Sequence, residues 1–447
     1  MVTYAFIGLV GLATALALRD WRRGVLLGIV VGLLQDPVRK LTPGTPAIMA
    51  VSSFPVWIAV LVRLRLSEPG AWRRLRQDWP RVARRMIIFV FLLLPAAAMA
   101  FQYGLGAWRL VVIGLMGYVA PLVGVVMGYS YTRSPAELRT LMVRYCALAS
   151  LFMTGSLIEY AGLAPAWPAV GTETLGVHWV RYAGGGVFDL ISGFFRSPDL
   201  MGWHAAALVM LALTLALASR GPQGLRWLVP ATLAAVCLVI SGRRKMVVMP
   251  AVWVAVVAIA NFRAGRLSRV GALGAVGGLT ALGLFFAGRE MAVGASYYAY
   301  ARSVQDETTG RLISGSWDDV WYTLQQSGFL GEGLGSASQG AQHVTEVRER
   351  SWQESGFSKL VIELGVPGFV WALVLSSTLA AALLSCLSRA SGPDNPLLIG
   401  SIAFCVANAM SFIISHQVYG DLLVVTLSAF FVGVPLAGQR WMLPGRS

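Results

Sequence analysis

The sequence predicts an all-α fold, a polytopic integral membrane protein with 12–13 transmembrane helices and one long outer loop containing short helices. Three observations carry that reading. Of 447 residues, 56% belong to the hydrophobic set and only 13% are charged, about half the roughly 25% found in soluble domains. Mean hydropathy is +0.66. The apolar residues are also gathered into runs close to the roughly 20 residues that a helix needs to cross a bilayer core. A soluble fold of this size has too few charges here to cover its surface.

Taken in order, the runs fall near residues 3–18, 24–35, 45–62, 86–102, 108–128, 140–163, 201–219, 227–241, 246–260, 270–287, 359–386, 396–414 and 420–437. The first lacks a basic leading region and an A-x-A-like cleavage site, so it reads as an uncleaved anchor. The second is short and is expected to end at Asp36-Pro37, which leaves a half-helix or re-entrant segment as open as a full span. The chain divides into N-terminal transmembrane helices (1–163), an outer segment (164–200), central helices (201–287), a long outer loop (288–358) and C-terminal helices (359–447). No internal repeat, low-complexity segment or separate soluble domain is visible.

A net charge of +15 in a soluble protein would point to nucleic acid, but in a membrane protein it first reports topology. Eight arginines lie between Arg63 and Arg85. Placing that loop inside and alternating sides puts 22 Lys and Arg against 5 Asp and Glu inside, and 14 against 16 on the other face. Anchoring on anionic lipid accounts for the inside charges, and no nucleic-acid partner is required. The four cysteines, Cys146, Cys237, Cys386 and Cys405, lie in apolar runs without C-x-x-C spacing and argue for neither a metal nor a disulfide.

In the long loop, Ser316 and Asp319 make a capping-box-like start, and Trp317, Val320, Trp321 and Leu324 follow at helical spacing. This helix either lies along the outer membrane interface or packs on the bundle. Tyr297, Tyr298 and Tyr300 fit an interfacial aromatic belt.

Ser241-Gly242-Arg243-Arg244-Lys245 is the turn that breaks the rule. Alternation places it outside, where a short turn has no topological need of three cations. One reading is an anion site at the mouth of a membrane cavity, for which Arg suits bidentate phosphate contact. The other is a cytoplasmic turn and a span count off by one. Arg311 and Arg196 are further candidates for the same anion, against the alternative of solvated charges or surface ion pairs. The glycines of Gly331-Glu332-Gly333-Leu334-Gly335 follow no strand and lack a Gly-Lys-Ser/Thr ending, which predicts tight turns rather than a nucleotide loop. His178, His204, His343 and His416 are scattered, without zinc spacing, and no metal or other cofactor is expected.

Glu354 ends the long loop. A carboxylate at the lip of an apolar cavity would have its basicity raised by desolvation and lowered by nearby arginines, which suits a general base at neutral pH. Glu363 lies nine residues on, about 13 Å along a straight helix at 1.5 Å per residue, too far to pair with it. The plain alternative for each is a helix-start or buried, hydrogen-bonded acid.

The segment Trp352-Gln353-Glu354-Ser355 through Glu363-Leu364-Gly365-Val366-Pro367-Gly368 resembles the signature of the O-antigen ligase and O-antigen polymerase superfamily of polytopic membrane glycosyltransferases. That signature reads His-Asn, an apolar stretch, then Glu-x-Gly-x-x-Gly, and Glu363, Gly365 and Gly368 match its second half. Also similar are Thr309-Gly310-Arg311 with Trp317 or Trp321, Gly328 to Gly335, Ser197-Pro198-Asp199 and the Ser241 to Lys245 turn, together covering about residues 190–370. Glu354 stands where the family has His and Ser355 where it has Asn, a departure that favours the polymerase branch.

The resemblance implies a lipid-pyrophosphate donor, with Arg243 or Arg244, Lys245, Arg311 and Arg196 as pyrophosphate ligands and Glu354 as the base, His343 being the alternative base. It implies polymerisation of undecaprenyl-pyrophosphate-linked repeat units into a surface or exopolysaccharide. The active site would face the periplasm from a bacterial inner membrane, and the transfer would be metal-independent and inverting. Partners would be the lipid-linked donor and acceptor, membrane lipid, and chain-length regulator and flippase proteins. The alternatives are ligase-type transfer of the glycan to another acceptor, and a lipid-linked oligosaccharide flippase that needs no base.

Overall fold

Among the described residues, ten helices are long and apolar enough to cross a membrane, and the chain is an all-α multi-pass membrane protein. The structure, a computed structural model, describes residues 1–183, 186–219, 221–263, 316–338, 340–341, 354–389 and 395–442. The expected span at 270–287, the tyrosines at 297, 298 and 300, and the site candidates Arg311 and His343 lie outside the described residues. Side chains such as Phe91 and Leu94 are about two-thirds exposed, as a lipid-facing surface requires.

The chain forms two units, each contributed by three stretches. The first comprises Met1–Arg63, Ser134–Thr309 and Ser391–Ala407. Helix α1 (Val2–Arg19) turns at the single residue Asp20 into α2 (Trp21–Leu41), and the Asp20 carboxylate caps α2 by accepting from the Arg22 and Arg23 amides. The expected break at Asp36-Pro37 does not occur: α2 runs 21 residues, with Pro37 inside it. The reason is a remote partner. Asp36 is buried and accepts from the amide and guanidinium of Arg196, at 3.1 and 3.0 Å. Lys40 likewise donates to the carbonyls of Gly193 and Phe195. Buried polar side chains persist in a helix when they are paired in this way.

Helix α3 (Phe54–Ser67) follows, its first ten residues in this unit. Both α7 (Pro135–Tyr160) and α8 (Pro198–Ala218) begin with a Ser N-cap and Pro at the first helical turn, two signals that favour a helix start. Helix α8 is the most enclosed span, 89% of its apolar window being buried. It packs against α7, α9 (Leu228–Ile240) and α10 (Arg244–Arg263). Between α7 and α8 the all-α fold carries a short antiparallel hairpin in which Val180–Ala183 pairs with Gly186–Asp189, Val180 opposite Asp189.

The second unit comprises Leu64–Arg133, Gly310–Ala390 and Asn408–Ser447. The arginine-rich stretch read as a loop contains a short helix, α4 (Ala71–Asp78), ahead of α5 (Pro80–Ala100) and α6 (Trp108–Tyr131). The amphipathic segment forms α11 (Ser316–Ser327), which packs on α12 (Gly356–Arg389) while Trp321 stays 64% exposed. Helix α13 (Asn395–Ile414) enters this unit at Asn408, and α14 (Leu422–Met442) closes it. Backbone meets backbone where Gly124 and Gly128 of α6 face Phe430, and Gly433 faces Val125, the close approach that small residues permit between membrane helices.

Helix α12 is broken at Gly365, where φ is 66° and ψ is −176°, a conformation that only glycine adopts readily. The freed backbone groups are taken up by the glycine-rich segment: Val366 N–H donates to the Phe329 carbonyl at 2.8 Å, and Glu332 N–H donates to the Ile362 carbonyl at 2.6 Å. Gly328, Gly331, Gly333 and Gly335 all have positive φ, the tight turns expected. Irregular backbone within a membrane bundle requires such internal partners.

Candidate functional site

The rule-breaking turn sits in the first unit. Helix α9 ends at Ile240, the Ser241 hydroxyl donates back to the Leu238 carbonyl at 2.6 Å, and Gly242 turns the chain with φ of 64° into α10. The turn lies against the 164–200 segment: Arg181 donates to the Gly242 carbonyl at 3.1 Å, and the Arg243 guanidinium lies 5.0 Å from the Trp179 ring centroid. It therefore occupies the same end of the unit as the hairpin and the start of α8.

The cations there have an acidic partner. Arg243 Nη2 is 3.1 Å from Asp199 Oδ2, and Lys245 Nζ is 2.9 Å from Asp199 Oδ1, all three side chains being largely buried. Two cations share one carboxylate. Arg244 is itself 8% exposed, and Arg243 Nε has no hydrogen-bond partner among the described residues. Arg196 is committed to Asp36 rather than solvated. Burial of cations this close together requires either counter-charges or an anionic ligand, and Asp199 is the shared counter-charge of Arg243 and Lys245.

This end of the unit also encloses a cavity of about 520 Å³ between the C-terminal turn of α7 and the hairpin. Glu159, Glu173, His178, Trp179 and Asp189 are among its lining residues. Glu159 accepts from the amides of Ser192 and Gly193, and His178 Nε2 lies 3.0 Å from Asp189 Oδ1 at the open rim.

The acids of the signature lie in the second unit, and the structure separates their roles. The Glu354 side chain is exposed, so the desolvation expected at an apolar lip is absent. Its carbonyl accepts from both the amide and Nδ1 of His416, at 2.9 and 3.0 Å. Burial, helped by the Lys359 charge, pulls the His416 imidazole down to about 4. Glu363 is fully buried. It accepts from Lys359 Nζ at 2.9 Å, and from the Ser338 hydroxyl and Ala337 amide at 3.1 Å each. The Tyr118 hydroxyl faces it. Glu363 is thus the buried, hydrogen-bonded acid and Glu354 the accessible one.

Sequence reasoning missed Asp36, Lys40, Trp179, Lys359 and His416 as participants, since nothing local marks them. Asp199 entered only as part of the Ser197-Pro198-Asp199 segment. The chain matches no protein-family model and no curated protein.

Proposed function

We propose that this multi-pass membrane protein is a glycosyltransferase that joins undecaprenyl-pyrophosphate-linked oligosaccharide repeat units into a surface polysaccharide or exopolysaccharide, acting at the outer face of a bacterial inner membrane. The observation that carries the reading is the buried Arg243–Asp199–Lys245 cluster, with Arg244 next to it in sequence, at the end of a membrane bundle. A polyprenyl donor presents its diphosphate where the bilayer meets water, and preorganised guanidinium groups stabilise the charge that develops on it as the glycosidic C–O bond breaks.

In the reaction, the acceptor hydroxyl attacks the anomeric carbon opposite the diphosphate. The new C–O bond forms, the diphosphate leaves with the bonding electron pair, and the hydroxyl proton passes to a carboxylate base. One displacement inverts the anomeric centre, and the arginines take the charge-stabilising role that a metal holds in other transferases.

The test is reconstitution of the purified full chain with lipid-linked repeat units. Chain growth that is lost in Arg243→Ala and in Glu354→Gln supports the reading. Transfer of the glycan to an added acceptor without chain growth makes it a ligase, and movement of the headgroup across the bilayer without a new glycosidic bond overturns transfer chemistry altogether.

A further inference from the structure

We infer that the cavity between α7 and the hairpin is a binding site for uncharged sugar residues, set beside the cationic turn so that phosphate and sugar are sorted to opposite sides of Trp179. This deepens the proposed function and rests on it for the link to glycan transfer. At about 520 Å³, the cavity lies within the roughly 300–1,000 Å³ typical of small-molecule sites and holds a short saccharide.

Its lining is of two kinds. Tyr160 and Trp179 supply aromatic surface, against which the C–H face of a pyranose packs, and Glu159, Glu173 and Asp189 supply acceptors for hydroxyl donors. Glu159 is a fixed acceptor, because the Ser192 and Gly193 amides hold it. Asp189 is steadied at the rim by His178.

The walls join the cavity to the turn. Trp179 lines the cavity and also carries the Arg243 guanidinium over its ring. Leu190 lines it too and packs on Gly242, its Cδ2 standing 2.3 Å from where a Cβ of that residue would be. Glu159, Glu173 and Asp189 line the cavity, and the Arg243 guanidinium lies over the Trp179 ring. Like charge repels across a short distance in a partly desolvated site, so a uronic acid or a phosphate is excluded from the cavity while the cationic turn accepts it. The sugar that enters is neutral or amino-substituted.

The test uses the full chain in detergent with four probes, lactose, maltose, chitobiose and a glucuronic-acid-containing disaccharide, read by saturation-transfer difference NMR. At least one neutral probe is expected to bind, with the uronate about tenfold weaker or absent. Trp179→Leu is expected to weaken the neutral probe by about tenfold. Should that variant fold poorly, the exposed pair Glu173→Gln/Asp189→Asn carries the test, because it is expected to admit the uronate. Equal binding of uronate and neutral probes to the native chain, no binding of any neutral probe at its solubility limit, or a uronate signal unchanged in the double variant overturns the inference.

The two levels fail separately. Neutral probes that bind in the expected pattern while no lipid-linked donor supports chain growth remove the polymerase reading and leave the cavity. Chain growth that is indifferent to Trp179 and to uronate content removes the cavity and leaves the polymerase.

Discussion

Arg243 and Asp199 meet at 3.1 Å across the turn that joins two membrane-spanning helices, and the same carboxylate also holds Lys245. One acid therefore organises two cations that the sequence shows only as an anomaly of sign. Removing it is expected to hurt more than removing either cation. Asp199→Asn leaves two largely buried cations without their counter-charge, a loss on the order of 3–5 kcal/mol. Arg243→Gln leaves Asp199 paired with Lys245 and is expected to cost about 1.5–3 kcal/mol. Thermal unfolding of both variants in detergent checks the order, and a smaller drop for Asp199→Asn would refute it.

The activity of the same arginine is expected to depend on its shape as well as its charge. Arg243→Ala is predicted to reduce chain growth by about 10²–10³, the usual effect of deleting one preorganised charge-stabilising donor. Arg243→Lys is predicted to recover only part of it, since an ammonium cannot make the two parallel contacts of a guanidinium to a phosphate. Initial rates on lipid-linked repeat units, compared with unfolding midpoints, separate the catalytic from the structural loss.

The two signature acids are expected to part company under amide substitution. Glu354 is exposed, so Glu354→Gln is predicted to leave stability within about 0.5 kcal/mol while lowering chain growth by about 10²–10⁴, the range for a lost general base. Glu363→Gln strands the buried Lys359 ammonium, and a loss on the order of 3–5 kcal/mol follows. Measuring unfolding and activity on both variants decides the assignment, and equal stability losses in the two would contradict it.

What the sequence makes legible here is whatever is local. Most spans declare themselves as apolar runs, the glycines of Gly328 to Gly335 announce turns, and the Arg243 turn stands out as three adjacent cations between two apolar runs. What stays hidden depends on partners far along the chain. Asp36-Pro37 reads as a break because Arg196, which neutralises Asp36, lies 160 residues away. Glu354 and Glu363 read alike, and only the placement of Lys359, Ser338 and Tyr118 around the second tells which is buried. The hairpin escapes notice because two four-residue strands leave no period to detect.

His416 gives the molecule an acid-sensitive point. Its folded value of about 4 lies below the ordinary 6.5, so the unfolded chain takes up the proton first as pH falls. Stability tied to this group is complete above about pH 6.5 and declines between there and about pH 4, by an amount on the order of 3 kcal/mol. His416→Gln is expected to flatten that part of the pH–stability curve. Unfolding midpoints at pH 7.5 and 4.5 measure the difference, and an equal acid-induced drop in native and variant proteins would refute the role.

The break in α12 yields the sharpest backbone prediction. Gly365 holds φ of 66°, and a Cβ there would sit 2.6 Å from the carbonyl oxygens of Phe329 and Leu330. Gly365→Ala thus meets two penalties, the positive φ itself, about 1–2 kcal/mol for a residue with a side chain, and a collision with backbone that is already spent on Val366 N–H. That backbone cannot retreat without reopening the hydrogen bond which closes the helix break, and an unpaired buried amide costs a further 1–3 kcal/mol or so. Gly328 also has positive φ but meets nothing within 4 Å, so Gly328→Ala carries only the first penalty. Comparing the two unfolding midpoints isolates the collision. Similar losses in both would mean that the glycine-rich segment does not hold the break.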